Sequence, residues 1–113
     1  MQATHNSISI QASDGTNLHM NCWLPHKKIK AIIGLLHGYS DHSGRYQHVA
    51  SLFNQAGYAL IALDLRGHGR SGGPRGYIPS YTQLLSDLDT FIEKITSQYS
   101  NTPIYLYGHS LAI

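Results

Sequence analysis

The 113-residue chain contains one cysteine, Cys22. An intrachain disulfide is therefore excluded, and in its strand-like surroundings the thiol reads as a small core side chain. Charge is also scarce. Asp, Glu, Lys and Arg make up 12% of the residues, about half the usual ~25%, which argues against a disordered tail or a charge-laced helical protein. The net charge of +2 is too small for a nucleic-acid footprint, so no nucleic-acid partner is expected. Lys27, Lys28 and Lys30 form the only basic cluster and read as a solvated loop. The longest apolar run, around Ala31 to Leu36, falls far short of the ~20 residues that span a bilayer. The opening residues lack a basic region followed by an apolar stretch, so no signal peptide is expected. The expected location is cytoplasmic, with peripheral contact to a membrane left open.

Against these shortages stands a hydrophobic share of 42%, near the globular norm and enough for a packed core. Ser7-Ile8-Ser9-Ile10 alternates polar and apolar, and Leu18, Met20, Cys22 and Leu24 fall on one face of a second strand. With the turn formers Ser13 to Asn17 between them, this predicts a β-hairpin. Ala31 to Leu36, Tyr58 to Leu63 and Ile104 to Tyr107 are continuous apolar runs, the pattern of strands buried on both faces. Between them lie two helical patterns. The first places Tyr46, Val49, Ala50, Phe53 and Ala56 on one side, with Ser43 as a candidate cap and Gly57 at its end. The second runs from about Tyr81 to Tyr99, with Leu84, Leu85, Leu88, Phe91, Ile92 and Ile95 as its apolar face. The order predicts an α/β fold, a β-hairpin followed by a βαβαβ parallel sheet, within one domain spanning residues 1–113.

Gly108-His109-Ser110-Leu111-Ala112 follows the third apolar strand directly. It resembles a G-x-S-x-G nucleophile elbow, with Ala112 in place of the last glycine. A sharp strand-to-helix turn presents the serine Oγ at the carboxyl end of the sheet, and small flanking residues such as Gly108 avoid Cβ clashes in that turn. Ser110 is thus the candidate nucleophile, and the N–H of Leu111 a candidate oxyanion donor. In folds with such an elbow the second donor comes from the loop after an earlier strand. Leu36-His37-Gly38-Tyr39 is that loop here, and the backbone N–H of Tyr39 is the candidate. The two motifs agree in position, both at strand carboxyl ends, where open parallel sheets bind ligands.

Three segments carry a family resemblance. His37-Gly38-Tyr39-Ser40-Asp41-His42-Ser43-Gly44-Arg45-Tyr46, Asp64-Leu65-Arg66-Gly67-His68-Gly69-Arg70-Ser71 (continued by Gly73-Pro74-Arg75-Gly76-Tyr77) and Gly108-His109-Ser110-Leu111 resemble, in order and spacing, the signatures of the monoacylglycerol lipase and lysophospholipase group of α/β-hydrolases, the serine aminopeptidase-like hydrolases. The resemblance implies the N-terminal portion of an α/β-hydrolase fold, truncated at the nucleophile elbow. It implies a serine ester hydrolase whose substrate is a small acyl ester or lysolipid: Ser110 attacks the ester carbonyl, the N–H groups of Tyr39 and Leu111 hold the oxyanion, and water releases the acyl group. His37, Gly38, Gly108 and His109 support the elbow and its facing loop. No metal or organic cofactor is implied. A peptidase, thioesterase or acyltransferase would share the same fold.

In this fold the triad acid and histidine follow the serine, whereas only Leu111, Ala112 and Ile113 follow Ser110. The expectation is a chain with little or no esterase activity alone. It is either part of a longer enzyme or a non-catalytic remnant or module completed by another chain, and its open sheet edge at Ile104 to Tyr107 would favour self-association. Other signals reduce to structure. Gly67 to Gly72 matches G-x-G-x-x-G, but no helix opens there as dinucleotide binding requires. His37, His42 and His48 match no metal-ligand spacing. Asp64 and Asp87 are carboxylates that precede the serine; Asp64 is expected to fix its loop through backbone N–H groups. Arg45 and Tyr46 are expected to pack at the start of the first helix. Arg66 and Arg75 are expected to be solvated or salt-bridged rather than to border an acyl or headgroup site.

Overall fold

The computed structural model describes residues 4–37 and 46–108. Among them are five strands, β1 (Thr4–Gln11), β2 (Asn17–Leu24), β3 (Ala31–Leu36), β4 (Tyr58–Leu63) and β5 (Ile104–Gly108), and two helices, α1 (Gln47–Gln55) and α2 (Tyr81–Gln98). The strands form one sheet in the order β1-β2-β4-β3-β5. β1 and β2 make the expected antiparallel hairpin, whose second strand runs antiparallel to β4. β3 runs parallel to β4 on one side and to β5 on the other.

Period-two alternation divides the apolar residues between the two faces of this sheet. One face gathers Ile10, Leu18, Met20, Cys22, Ile32, Leu36, Ala59, Ile61 and Leu63 beneath Leu84, Phe91 and Ile95 of α2. The other packs Trp23, Leu35, Leu60 and Ala62 against Ala50 of α1. The apolar runs of β3 and β4 are thus explained by helices on opposite faces. Burial within the first cluster pushes the Cys22 thiol up to about 11, keeping it protonated and inert. No helix among the described residues is long and apolar enough to cross a membrane.

One detail adds to the sequence reading and two differ from it. β2 is buried on both faces, since Asn21 accepts hydrogen bonds from His5 and Ser7 on β1, and the His5 ring stacks on Trp23 at 4.8 Å. The buried face of α2 is narrower than its leucines suggested: Leu85 is 44% exposed, while Asp87 is 1% exposed among Leu84, Phe91 and Ile95. β5 is not a buried strand. Tyr105, Leu106 and Tyr107 are 61%, 52% and 52% exposed, because among the described residues β5 has a strand neighbour on one side only. Beside it Tyr107 lines an open apolar groove of about 420 Å³ with Tyr46, Val49 and Phe53 of the α1 region.

The helix ends follow local chemistry. Ser80 is extended and its Oγ accepts the Gln83 N–H at 3.0 Å, capping α2. α1 closes with the Gly57 N–H donating to the Asn54 carbonyl at 3.0 Å. The proposed cap Ser43 lies outside the described residues.

Candidate active site

Strand register decides which loops meet. Leu36 is the register partner of Leu63 on β4 and of Gly108 on β5. The three parallel strands therefore end level, and adjacent strands lie about 4.8 Å apart. His37 and Asp64 leave the sheet side by side, level with Gly108 at the end of β5. Of the candidate residues, His37 and Gly108 are described; Gly38, Tyr39, His109, Ser110 and Leu111 lie outside the described residues.

His37 is fully buried. Its Nε2 accepts the Leu65 N–H at 2.8 Å, which leaves the ring proton on Nδ1. The His68 ring lies beside it, with centroids 5.4 Å apart and planes tilted by 51°. The His68 Nδ1 in turn bonds the Arg66 carbonyl at 2.9 Å. The end of β3 at His37 and the loop after β4 are thus tied together by histidine rings.

Residues 64–77 fold back on themselves. The Asp64 carboxylate accepts the Arg70 N–H at 3.0 Å, the loop-fixing role expected of it. Ser71 Oγ accepts the His19 N–H at 2.8 Å and donates to the Asp64 carbonyl at 2.6 Å, joining the ends of β2 and β4. Arg75 donates to the carbonyls of Gly69, Ser71 and Gly73. The next helix starts only at Tyr81, so the glycines serve this tight path and not a helix-opening phosphate loop.

Gly67 is the tightest point. Its φ is +76°, and a Cβ there would stand 2.5 Å from the Pro74 carbonyl oxygen and 2.9 Å from that of Tyr77. Gly67→Ala is expected to destabilise the chain by about 2–4 kcal/mol, left-handed strain plus backbone overlap. Gly76 has φ +69° but open space around it, so Gly76→Ala is expected to carry only the strain, about 1–2 kcal/mol. Urea midpoints of the two variants measure the difference.

Arg66 is the residue whose role sequence reading left most open, and the structure makes it salt-bridged. Its Nε and Nη2 donate to the two Asp87 oxygens, each at 2.9 Å. Nη1 reaches Asp14 Oδ2 at 2.9 Å and Thr16 Oγ1 at 2.8 Å, and Nη2 also reaches Asp14 Oδ1 at 3.2 Å. Gln83 donates to Asp87 from the preceding turn of α2 at 3.0 Å. The sequence held one signal of this pairing. A carboxylate inside an apolar helical stripe requires a buried cation.

A doubly covered mixed sheet, parallel across β4, β3 and β5, with His37 and the glycine-rich residues 64–77 at its strand ends, defines the class: the N-terminal part of an α/β-hydrolase fold. The family model of the serine aminopeptidases, S33, matches residues 27–111, and the chain belongs to that family. It is 33% identical over 111 residues to a monoacylglycerol lipase of Mycolicibacterium smegmatis, covering 98% of this chain and 40% of that protein. It is 31% identical over 99 residues to the monoglyceride lipase of Homo sapiens, covering 88% of this chain and 33% of that one. Among solved structures, a thermostable carboxyl esterase from Bacillus coagulans superposes with a TM-score of 0.78 at 28% identity, covering 96% of this chain and 36% of the esterase. The chain thus spans 40% or less of the length of these proteins.

Proposed function

We propose that the chain carries the nucleophile half of a serine hydrolase that cleaves esters of lipids bearing one acyl chain, by an acyl-enzyme mechanism. The level ending of β3, β4 and β5 carries this reading. It supports bringing the segment with Tyr39 and the segment with Ser110 and Leu111 together at one end of the sheet. In the proposed mechanism Ser110 Oγ adds to the ester carbonyl, the N–H groups of Tyr39 and Leu111 receive the oxyanion, and water later displaces the acyl group. His37, Gly38, Gly108 and His109 hold the two segments in place. The substrate class is taken from the lipases named above. The acid and histidine that activate the serine belong after it in chain order, and Ser110 is followed by Leu111, Ala112 and Ile113. Without that acid and histidine, residues 1–113 by themselves are proposed to be inactive.

The test replaces the aligned N-terminal region of the Mycolicibacterium lipase with this chain. The chimera is expected to react with a fluorophosphonate probe and to hydrolyse monoacylglycerol. Ser110→Ala should abolish labelling and lower turnover by roughly a thousandfold or more. A folded chimera that Ser110→Ala leaves labelled and active overturns the assignment. The isolated chain should not label at all.

The exposed β5 edge favours a second reading, a non-catalytic chain whose sheet is completed by a further strand, from another polypeptide or a second copy. Labelling of the isolated chain would count against it.

A further inference from the structure

The dipeptide Leu65-Arg66 holds both buried histidines through its backbone. The Leu65 N–H donates to His37 Nε2 at 2.8 Å, and the Arg66 carbonyl bonds His68 Nδ1 at 2.9 Å. The Arg66 side chain leaves the same dipeptide toward two acids on separate elements. Asp14 lies in the turn between β1 and β2, and Asp87 lies on α2. Arg66 and Asp87 are 4% and 1% exposed, so these bonds act where solvent screening is weak. We infer that Arg66 is a positioning residue: clamped between Asp14 and Asp87, it sets the Leu65-Arg66 backbone and hence the His37 ring at the end of β3. Only the support role of His37 rests on the function proposed above. The clamp stands on its own geometry.

A planar fork is needed for this. Three guanidinium nitrogens reach five oxygens in three directions, while a single ammonium could keep at most the two bonds that Nη2 makes, to Asp14 Oδ1 and Asp87 Oδ1, and would lose the two-pronged grip on Asp87 and the bond to Thr16. A merely structural ion pair behaves differently. Two buried charges replaced together by apolar side chains of similar volume often leave stability unchanged or raised. Restored stability without restored histidine geometry is therefore the mark of positioning.

The experiment uses the 113-residue chain with ¹⁵N-labelled histidine. A long-range ¹H–¹⁵N spectrum reads which ring nitrogen carries the proton, and hydrogen exchange reads the Leu65 amide. In the wild type the His37 ring should carry its proton on Nδ1 with Nε2 bare. In Arg66→Met combined with Asp87→Leu, and in Arg66→Lys, that signal should move toward exchange between tautomers. The Leu65 amide should lose about tenfold in protection, roughly what one hydrogen bond supplies, while circular dichroism stays that of the wild type. Unchanged ring signals and protection in either folded variant overturn the inference. Should both variants fail to fold, Asp14→Ala decides. Asp14 is 47% exposed, and its loss should shift the same signals by a smaller amount; no shift overturns the clamp. A silent chimera in the labelling assay would sink the ester-hydrolase reading and leave these outcomes intact.

Discussion

Arg66→Ala is expected to lower stability by about 3–5 kcal/mol, the penalty for breaking a buried ion pair from one side. The side chains of Arg66 and Asp87 are 5% and 2% exposed, so the deletion strands a carboxylate inside the α2–sheet interface. Domains of this size hold only about 5–15 kcal/mol in total, so this loss removes a large share of the stability and should move the urea midpoint well below that of the wild type. The opposite arm is milder. Asp14 is partly exposed, and its carboxyl is held well below the usual aspartate range, first by the hydrogen bonds from Arg66 and next by the Thr16 N–H. A carboxylate whose folded pKa is depressed adds stability above its unfolded pKa of about 3.9 and loses it as pH falls toward the lower folded value. Melting curves between neutral and acid pH should show a steeper acid loss in the wild type than in Asp14→Asn. Equal slopes would mean that the Asp14 arm is not formed. For Arg66→Ala, a urea-measured loss under about 1 kcal/mol would place Arg66 among ordinary surface ion pairs and contradict the burial.

Phe91→Ala should cost a similar amount, about 3–5 kcal/mol. Phe91 is fully buried on α2 and sits over the middle of β3, where Gly34 has no side chain to oppose it. A Cβ at Gly34 would lie 3.4 Å from Phe91 Cε2 and 2.9 Å from Leu106 Cδ2. The glycine opens a slot, the ring fills it, and removing the ring leaves a cavity that the rigid strands β3 and β5 cannot close. Phe91→Leu keeps much of the volume and should cost under about 2 kcal/mol. Urea titration of both variants gives the comparison. A small loss in Phe91→Ala would mean that α2 can settle onto the sheet and that the slot is not rigid.

The parts of the fold legible in the sequence were those written in local pattern. Alternation in Ser7 to Ile10, unbroken apolar runs at Ala31 to Leu36 and Tyr58 to Leu63, and the turn residues at Ser13 to Asn17 led to the hairpin and the parallel strands found here. Asp64 could be read as a loop-fixing acid because Asp followed by a glycine-rich stretch has few other uses, and its bond to the Arg70 N–H agrees. Leu85 was misplaced because helical periodicity alone cannot tell which edge of an apolar stripe meets the sheet; Asp87, buried by its bond to Arg66, took the central place. The dry second face of β2 was hidden for a similar reason. His19 and Asn21 look like solvent-facing residues until Ser71 and the β1 side chains meet that strand.

By itself, then, the sequence determined the strand and helix order, the membership signalled by its three motif segments, and Ser110 as the nucleophile candidate, because each is encoded in residues near one another along the chain. Only the tertiary structure decided that Leu36, Leu63 and Gly108 end level, that His37 rests on the Leu65 amide, and that Arg66 is gripped by Asp14 and Asp87 from positions 52 and 21 residues away. Those facts depend on strand register and on which helix covers which face. Both are settled by the free energy of packing the whole sheet, to which no local pattern gives access.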